Sequence, residues 1–526
     1  MSEQAGGTRT PEAPEPGRGG GADDTKLPWL IRAMGVVERV GNALPHPFWL
    51  FWVLSAILGV ISAIMAAAGV TVVNPEGETV TVRNLLSGDG LANALESMID
   101  NFASFPPMAT IVTVIMGVAV AERTGLLAAA MRAGVARVPA SLVVFAVAFA
   151  GTVAHVASAA AYIILVPLGG LAFRAVGRSP ILGIVVAYTA IASGYDASPI
   201  PTPNDAIFAG IATAAAQIVD PEYVVSPVSN WFFNIVSSIV LATIITLMTR
   251  LVLSKRPDLD VDPDAPDDDV AGLHVSAAER SGLIRAGLVL LAAAVVLTAI
   301  ILPESSPLRG EGGSIVESPF IEGIGAVIAF LFGMMGIVYG LRVGTITKAS
   351  DVPKLMTEGI KQMAPVLALF FAIAQFLAYF EWSHIGDVIS VLSADALRTT
   401  GVPIPVIFLM VLLLLSVVNV MITSGSAMWA IAAPVIIPML MLVDVPPETT
   451  QALFRIADSG STAITPMSPY FVMALGFLQR YRKDAGIGTL ASYTLPLAIA
   501  MTTVWTALFF AWWALGIPLG PGAPVR

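Results

Sequence analysis

Apolar residues in this chain run in long unbroken blocks, with neither the alternation of a half-buried strand nor the single stripe of a surface helix. A hydrocarbon core about 30 Å thick needs roughly 20 such residues per helix. Blocks of that length predict spans over 47–69, 107–122, 227–252, 281–302, 318–341, 363–380 and 488–517. Trp49, Trp52, Trp231, Trp512 and Trp513 fall near block ends, where amphipathic rings favour the membrane interface. The pattern predicts an all-α polytopic membrane protein.

Lysine and arginine set the sidedness, because cytoplasmic loops hold their excess. Lys26, Arg32 and Arg39 precede the first span, and Arg123, Arg132 and Arg137 follow 107–122. The next apolar block, 139–173, is flanked by that basic loop and by Arg174 and Arg178. Basic on both sides and about 35 residues long, it reads as a re-entrant hairpin, with its tip at HVASAAA (155–161). The unit 179–217 is interrupted by GYDASPIPTPND (194–205), where three prolines stop the helix. The following loop, IVDPEYVVSP (218–227), has no Lys or Arg and is placed outside.

The second half replays this order. Segment 361–390 resembles 101–131, with Glu381 on Glu122. SGSAMWAIAAPVIIPM (424–439) resembles ASAAAYIILVPLGGLA (157–172), with Trp429 on Tyr162 and Pro434 on Pro167. RIADSGSTAITPMSPYF (455–471) resembles AIASGYDASPIPTPNDAIF (190–208). The charge flanks are reversed: Lys348, Lys354 and Lys361 come before the span, the loop DVPPETT (444–450) is free of Lys and Arg, and Arg480, Arg482 and Lys483 follow. Matching segments with opposite flanks predict inverted topology, the secondary-transporter pattern. The expectation is nine spans and two hairpins, N-terminus inside and C-terminus outside.

The chain then divides into a disordered cytoplasmic tail (1–25), a first half (26–252) with hairpin 139–173 and broken helix 179–217, and an acidic cytoplasmic linker (253–280). A second half (281–517) holds hairpin 402–441 and broken helix 451–480, and a short tail (518–526) ends the chain. No secretory leader is expected, since the first apolar block is long enough to span.

Composition narrows the function. The 526 residues are 56% hydrophobic and only 12% charged, about half the charge of a soluble domain, and the mean hydropathy is +0.82. The absence of cysteine excludes disulfides, thiolate metal sites and cysteine catalysis. The net charge of −10 gives no nucleic-acid signal. DLDVDPDAPDDD (258–269) alternates Asp like a Ca²⁺ loop, but Pro263 stands where an EF-hand needs Gly, so it reads as a solvated linker. Glu122 and Glu381 sit at span ends, where interfacial solvation accounts for them.

A charge at the bilayer centre costs about 2.5–3.5 kcal/mol on insertion scales, so intramembrane ionisable residues are functional candidates. They are His155, Asp196, Asp205, Arg455 and Asp458. Arg455 and Asp458 are three apart and share a helix face, where they either pair structurally or leave Arg455 to receive a substrate carboxylate. Asp205 either caps the second half-helix or carries a proton or cation, and Asp196 lies inside the break. Asn419, Thr423, Ser424 and Ser426 at the second hairpin tip offer oxygen ligands suited to Na⁺, and the half-helix start after Ser426 suits an anion. Trp429 either packs in the core or stacks on an aromatic substrate, and His155 in tip one is either a satisfied polar group or a proton carrier.

GNALPHPFWLF (41–51), AERTGLL (121–127), SGSAMWAIAAPVIIPM (424–439) and RIADSGSTAITPMSPYF (455–471) closely resemble the p-aminobenzoyl-glutamate transporter (AbgT) family, over about 27–517. The resemblance implies a homodimeric, non-enzymatic carrier of a small anionic substrate in a bacterial plasma membrane, with nine spans and two hairpins. Members are associated with import of p-aminobenzoyl-glutamate and with export of sulfonamide antimetabolites, coupled to Na⁺ or to protons, and no organic cofactor is expected. By motif, the family's substrate positions fall on Ser426, Trp429, Arg455, Asp458 and Pro466, and its acidic residue after the first broken helix on Asp205. Asp196, Asn419, Ser424 and His155 complete the ion-coupling candidates. Where members resemble SNIASDAGY this chain has AHVASAAAY (154–162), and where they resemble FSANLL it has YDASPI (195–200). The tip therefore loses a carboxylate at Ala159, and Asp196 is expected to replace it.

Two transport alternatives share the scaffold: efflux of sulfonamide-type antimetabolites, and carriage of dicarboxylates or other organic anions. An intramembrane hydrolase is disfavoured, since neither HExxH nor GxGD occurs and Ser426 has no histidine in its motif. A passive channel is disfavoured by the doubled breaks.

Overall fold

The computed structural model describes residues 46–73, 79–136, 138–157, 160–265, 274–315 and 318–526. The N-terminal tail, its basic residues, Arg137 and Ala159 lie outside the described residues. The first half opens with α1 (Pro47–Ala67), a strand pair β1 (Thr71–Val73) and β2 (Thr79–Thr81), and the short α2 (Gly88–Glu96) and α3 (Met98–Ala103). A seven-helix unit follows: α4 (Pro106–Arg123), α5 (Leu126–Val135), α6 (Val143–Val153), α7 (Ala160–Ala175), α8 (Pro180–Ala192), α9 (Pro203–Ala216) and α10 (Trp231–Leu251). The second half opens with α11 (Ala277–Ile301), the one-turn α12 (Pro319–Glu322) and α13 (Ile324–Val343). The seven-helix order then recurs as α14 (Asp351–Trp382), α15 (Ile385–Thr400), α16 (Ile404–Asn419), α17 (Gly425–Met441), α18 (Pro447–Thr462), α19 (Pro469–Gln479) and α20 (Ile487–Leu515).

Seven of these, α1, α4, α10 (with the turn after it), α11, α13, α14 and α20, are long and apolar enough to cross a membrane. They coincide with the seven apolar blocks. The first differences come from residues that hydropathy does not weigh. α14 begins at Asp351, twelve residues before the predicted 363, because Lys361–Glu358 (2.7 Å) and Lys354–Asp351 (3.5 Å) pairs carry the helix beyond its apolar part. The antiparallel strands β1 and β2, registered Thr71 to Thr81, were not expected. Their three-residue length gives too little pattern to read.

Block 139–173 resolves into two short helices with a 3₁₀ turn, Ala154–Ala157, at the end of the first, and block 402–441 into two short helices joined by residues 420–424. α6 has 11 residues, about 16 Å, and cannot reach across 30 Å. α7 and α8 pack at backbone contact: a methyl placed on Gly183 would lie 2.2 Å from the Gly169 carbonyl oxygen. All 13 residues of α8 are buried, and so are nearly all of α18, which lies at the centre of the second half. α11, by contrast, buries only Gly282 and Ala286.

Loop contacts sort the chain into two faces. On one, Arg250 bonds the Ser141 carbonyl, Arg132 pairs with Glu279, Ser179 donates to the Leu259 carbonyl (2.8 Å), and Asp262 N–H donates to Tyr481 (2.9 Å). On the other, Tyr223 and Asn230 meet Glu448, Thr449 donates to the Val525 carbonyl (2.9 Å), and Phe233 N–H donates to Leu519 (3.0 Å). The 21-residue α10, about 31 Å long, runs between them. Segments that charge flanks assign to one side thus touch one another, and both ends of the α6–α7 hairpin lie on the first face.

The described part of the linker is anchored. Residues 253–265, exposed or half-exposed after Leu253, dock on the loop between α19 and α20 and on the start of α20. Arg256 forks onto Asp258 (2.9 and 2.8 Å) and reaches Ser492, with its guanidinium 4.1 Å over the Tyr493 ring. Tyr493 donates to the Asp258 carbonyl (2.8 Å), and Lys483 pairs with Asp264. The acid-rich composition hid this because its partners lie some 220 residues away in sequence. The Arg256 hydrogen bonds hold the Asp258 carboxyl at about 2, below its ordinary 3.8. A depressed folded-state value means this contact stabilises docking above about pH 4 and is lost as pH falls through about 2. Amide exchange over 256–264 is therefore expected to rise steeply below about pH 3, and D258N to show the same rise at neutral pH. Unchanged exchange in D258N would show that the docking does not depend on this pair.

Candidate functional site

The candidate site forms where the two broken helices meet. α8 ends at Ala192 and the chain crosses Asp196, Pro199 and Pro201 before α9 starts at a third proline, Pro203. There Thr202 and Asp205 form a capping box. Thr202 N–H and Oγ1–H both donate to Asp205 Oδ2 (2.6 and 2.7 Å), and Asp205 N–H returns to Thr202 Oγ1 (3.4 Å). The second broken helix stops at Thr462, and Pro466 sits half-buried in the turn before α19.

Arg455 lies on α18, 1% exposed. Its ion pair is not with Asp458, three residues along the same helix, which was one of the two readings of that helix face. Arg455 Nη2 lies 2.7 Å from Asp205 Oδ1, on the opposite half. Nε–H donates to Asn230 Oδ1 (3.0 Å) and Nη1–H to the Asp196 carbonyl (3.4 Å), while the guanidinium sits 5.4 Å over the Phe208 ring. Helix spacing brings Arg455 and Asp458 to one face, but a planar fork reaches further out than the helix surface, and a carboxylate from across the bundle takes it. Asp205 thus caps α9, the first of its two sequence readings, and in the same place binds Arg455, a pairing that neither reading contained.

Asp458 turns instead to the second hairpin tip. Asn419, the last residue of α16, donates from Nδ2 to Asp458 Oδ1 (2.5 Å) and to Ser461 (3.0 Å). The carboxylate lies against the start of α17, whose N-cap is Ser424, with Ser424 Oγ receiving the Ala427 N–H (3.4 Å). A methyl on Gly425 would be 2.6 Å from Asp458 Oδ2. The helix N-terminus that the sequence placed after Ser426 for a substrate anion therefore begins two residues earlier, at Gly425, and already faces a protein carboxylate. G425A is expected to push Asp458 off this seat and cut uptake at least tenfold with little loss of expression. Wild-type uptake in G425A would show that the seat is not required.

Asp196, 3% exposed, lies beside Asp458. Ser459 holds it at both ends, donating to Oδ2 (3.4 Å) and accepting from its N–H (3.1 Å), and Asn204 Nδ2 donates to Oδ1 (3.2 Å). Three buried carboxylates thus surround one buried guanidinium.

Two candidates are placed elsewhere. Trp429 is fully buried: its indole N–H donates to the Phe208 carbonyl (3.1 Å) and its ring stacks on Phe454 at 4.5 Å. In this conformation it packs α17 against α9 and α18 and has no face left for a substrate ring. His155 stands in the 3₁₀ turn of tip one, Nε2 2.7 Å from the Ile191 carbonyl and its ring edge-on to Tyr195 at 4.2 Å. It touches α8 and not the carboxylates, the satisfied reading. Ser426 is half-buried, 3.4 Å from Ser424.

Sequence reading missed Asn230, Ser459, Asn204 and Gln451. Asn230 is the hub, accepting from both Arg455 and Gln451 Nε2 (3.1 Å). Its only signal is a polar residue at the edge of an apolar span, which solvation explains equally well.

Comparison with known proteins agrees with this architecture. The model of the AbgT putative transporter family matches residues 32–526. The chain belongs to the AbgT transporter family. An Escherichia coli K12 relative, the p-aminobenzoyl-glutamate transport protein, is 38% identical over 490 residues, covering 93% of this chain and 96% of its own length. The crystal structure of the Alcanivorax borkumensis YdaH transporter, which reveals an unusual topology, superposes with a TM-score of 0.86 at 37% identity, over 91% of this chain and all of its own. Neisseria gonorrhoeae MtrF, which illuminates a class of antimetabolite efflux pumps, gives 0.88 at 37% identity, over 94% of this chain and all of its own. This AbgT-family chain is thus a multi-pass membrane transporter of small molecules.

Proposed function

We propose that the chain is a secondary active transporter of p-aminobenzoyl-glutamate or a closely related aromatic carboxylate, driven by a Na⁺ or proton gradient across a bacterial plasma membrane. The observation that carries the reading is Arg455, buried where the two broken helices meet and bound to a carboxylate from the opposite half. A guanidinium held by an internal carboxylate is a site that a substrate carboxylate enters by exchange. The exchange leaves Asp205 buried without its partner, which is costly unless a cation or proton takes the vacated charge. Substrate entry and cation entry are thereby linked. Because the ring of residues is sealed at 4% exposure or less, the hairpins must part to admit substrate, as alternating access requires.

This reading includes a homodimer of nine-span protomers with two re-entrant hairpins, the basic face cytoplasmic and the C-terminus outside. The chain has no cysteine, so single cysteines introduced beside Lys483 and beside Arg526 label without background. An impermeant maleimide is expected to reach the second and not the first in right-side-out vesicles.

The deciding experiment is uptake of labelled p-aminobenzoyl-glutamate into proteoliposomes under separate Na⁺ and proton gradients. Flux absent under both removes the reading. Full competition by simple dicarboxylates shifts the substrate to that class.

A further inference from the structure

A cavity of about 910 Å³ opens between the end of α9, the 218–229 loop, α12, the start of α18 and residues 521–524. Its walls carry Asp220, Glu222, Glu322 and Glu448, and among the described residues no Lys, Arg or His lines it. Asp220, Glu222 and Glu322 are exposed at the rim, whereas Glu448 is 4% exposed. The Tyr223 hydroxyl donates to Glu448 (3.0 and 3.3 Å to its two oxygens). Ser229 lines the same cavity, 1% exposed, with its hydroxyl unpartnered. A buried hydroxyl without a partner is costly and points to a missing ligand.

From Glu448 a polar stripe descends one face of α18: Glu448, Gln451, Arg455 and Asp458, at spacings of three, four and three. Asn230 stitches it together, donating to the Glu448 carbonyl (3.0 Å) and accepting from Gln451 and Arg455 (3.1 and 3.0 Å). The floor of the cavity is about 10 Å from the Arg455 site along the helix.

We propose that this vestibule is a loading site for Na⁺, held by Glu448, Tyr223 and Ser229 before it passes down the α18 stripe. The donors are all oxygens, which suit a hard cation, and one close carboxylate matches a single charge. The exposed rim raises the local cation concentration as an acidic mouth does. The proposal rests on the coupled-transport reading above.

The test uses the full chain, titrated with NaCl against choline chloride, both solubilised (calorimetry) and in proteoliposomes (uptake). E448Q is expected to raise the half-saturating Na⁺ concentration about tenfold or more, with E448D intermediate and substrate affinity at saturating Na⁺, read by tryptophan fluorescence, unchanged. D220N/E222Q/E322Q is expected to slow uptake several-fold at low ionic strength, an effect that choline chloride near 1 M erases. Unaltered Na⁺ dependence in E448Q overturns the proposal. So does flux that follows external pH with no response to Na⁺, or an equal-fold loss of substrate affinity in E448Q that persists at saturating Na⁺. Should E448Q fail to fold, Y223F and S229A carry the same comparison. If wild-type protein shows no gradient-driven uptake, calorimetry separates the two ideas. Na⁺ heat lost in E448Q supports the site and faults the transport reading, whereas no Na⁺ heat in wild type overturns the site.

Discussion

Exchanging Arg455 for methionine is expected to abolish uptake and to lower the melting temperature sharply. Breaking a buried ion pair by removing one partner costs about 3–5 kcal/mol, because the remaining charge is uncompensated. Here that charge is Asp205, left with only its cap bonds to Thr202. Asn230 Oδ1 keeps Gln451, so the loss concentrates on the carboxylate. D205N/R455M should then recover most of the stability, since both charges leave together. It should recover none of the uptake, because nothing remains to receive a substrate carboxylate. R455K tests geometry separately: an ammonium keeps the charge but cannot meet Asp205, Asn230 and the Asp196 carbonyl from three nitrogens of one plane. Thermal unfolding in detergent and uptake in liposomes read the two effects. A stable R455M would show that the pair contributes little to the fold, and residual uptake would remove Arg455 from substrate binding.

Asp196→Asn is expected to abolish ion-dependent uptake while the protein still folds and inserts. The carboxylate is held by Ser459 and Asn204 and lies beside Asp458. An amide keeps the shape and the Ser459 contacts, so monodispersity and melting temperature should move little. It removes one of the two negative charges by which the three carboxylates exceed the guanidinium, and with it the demand for one compensating cation. Na⁺- or proton-driven uptake should fall to background. Unchanged uptake would show that Asp458 and Asp205 suffice for coupling, and that Asp196 is a structural cap of the first break.

The two halves differ in how much of the site each retains. In the repeat alignment Arg455 falls on Ala190 and Asp458 on Ser193, whose hydroxyl is buried and unpartnered. The first half has no copy of the Arg–Asp helix face and contributes instead from its break, through Asp196, Thr202 and Asp205. Its tip, with His155, turns to α8. The second tip, with Asn419 and Gly425, turns to Asp458.

The site's ingredients were legible one by one: four of its charged members, Asp196, Asp205, Arg455 and Asp458, stand out because an ionisable group in an apolar block is expensive. Their partners were not. Helix periodicity relates Arg455 only to neighbours three and four residues away, whereas Asp205 is 250 positions distant and approaches through α9. The neutral hub Asn230 did not stand out, since a polar residue near a span end has an ordinary interfacial explanation, and for Trp429 core packing and substrate stacking read alike in the sequence.

The sequence by itself determined the seven long apolar helices, the two proline breaks, the doubled order and the grouping of loops by face. Each follows from a local quantity: apolar length, a missing N–H, or a count of Lys and Arg. Only the tertiary structure decided that Arg455 binds Asp205 and leaves Asp458 to Asn419, that the acidic linker docks, and that Glu448 closes a cavity. Those are encounters between segments far apart in the chain, chosen by the packing of helices whose one-dimensional patterns are the same whichever partner they meet.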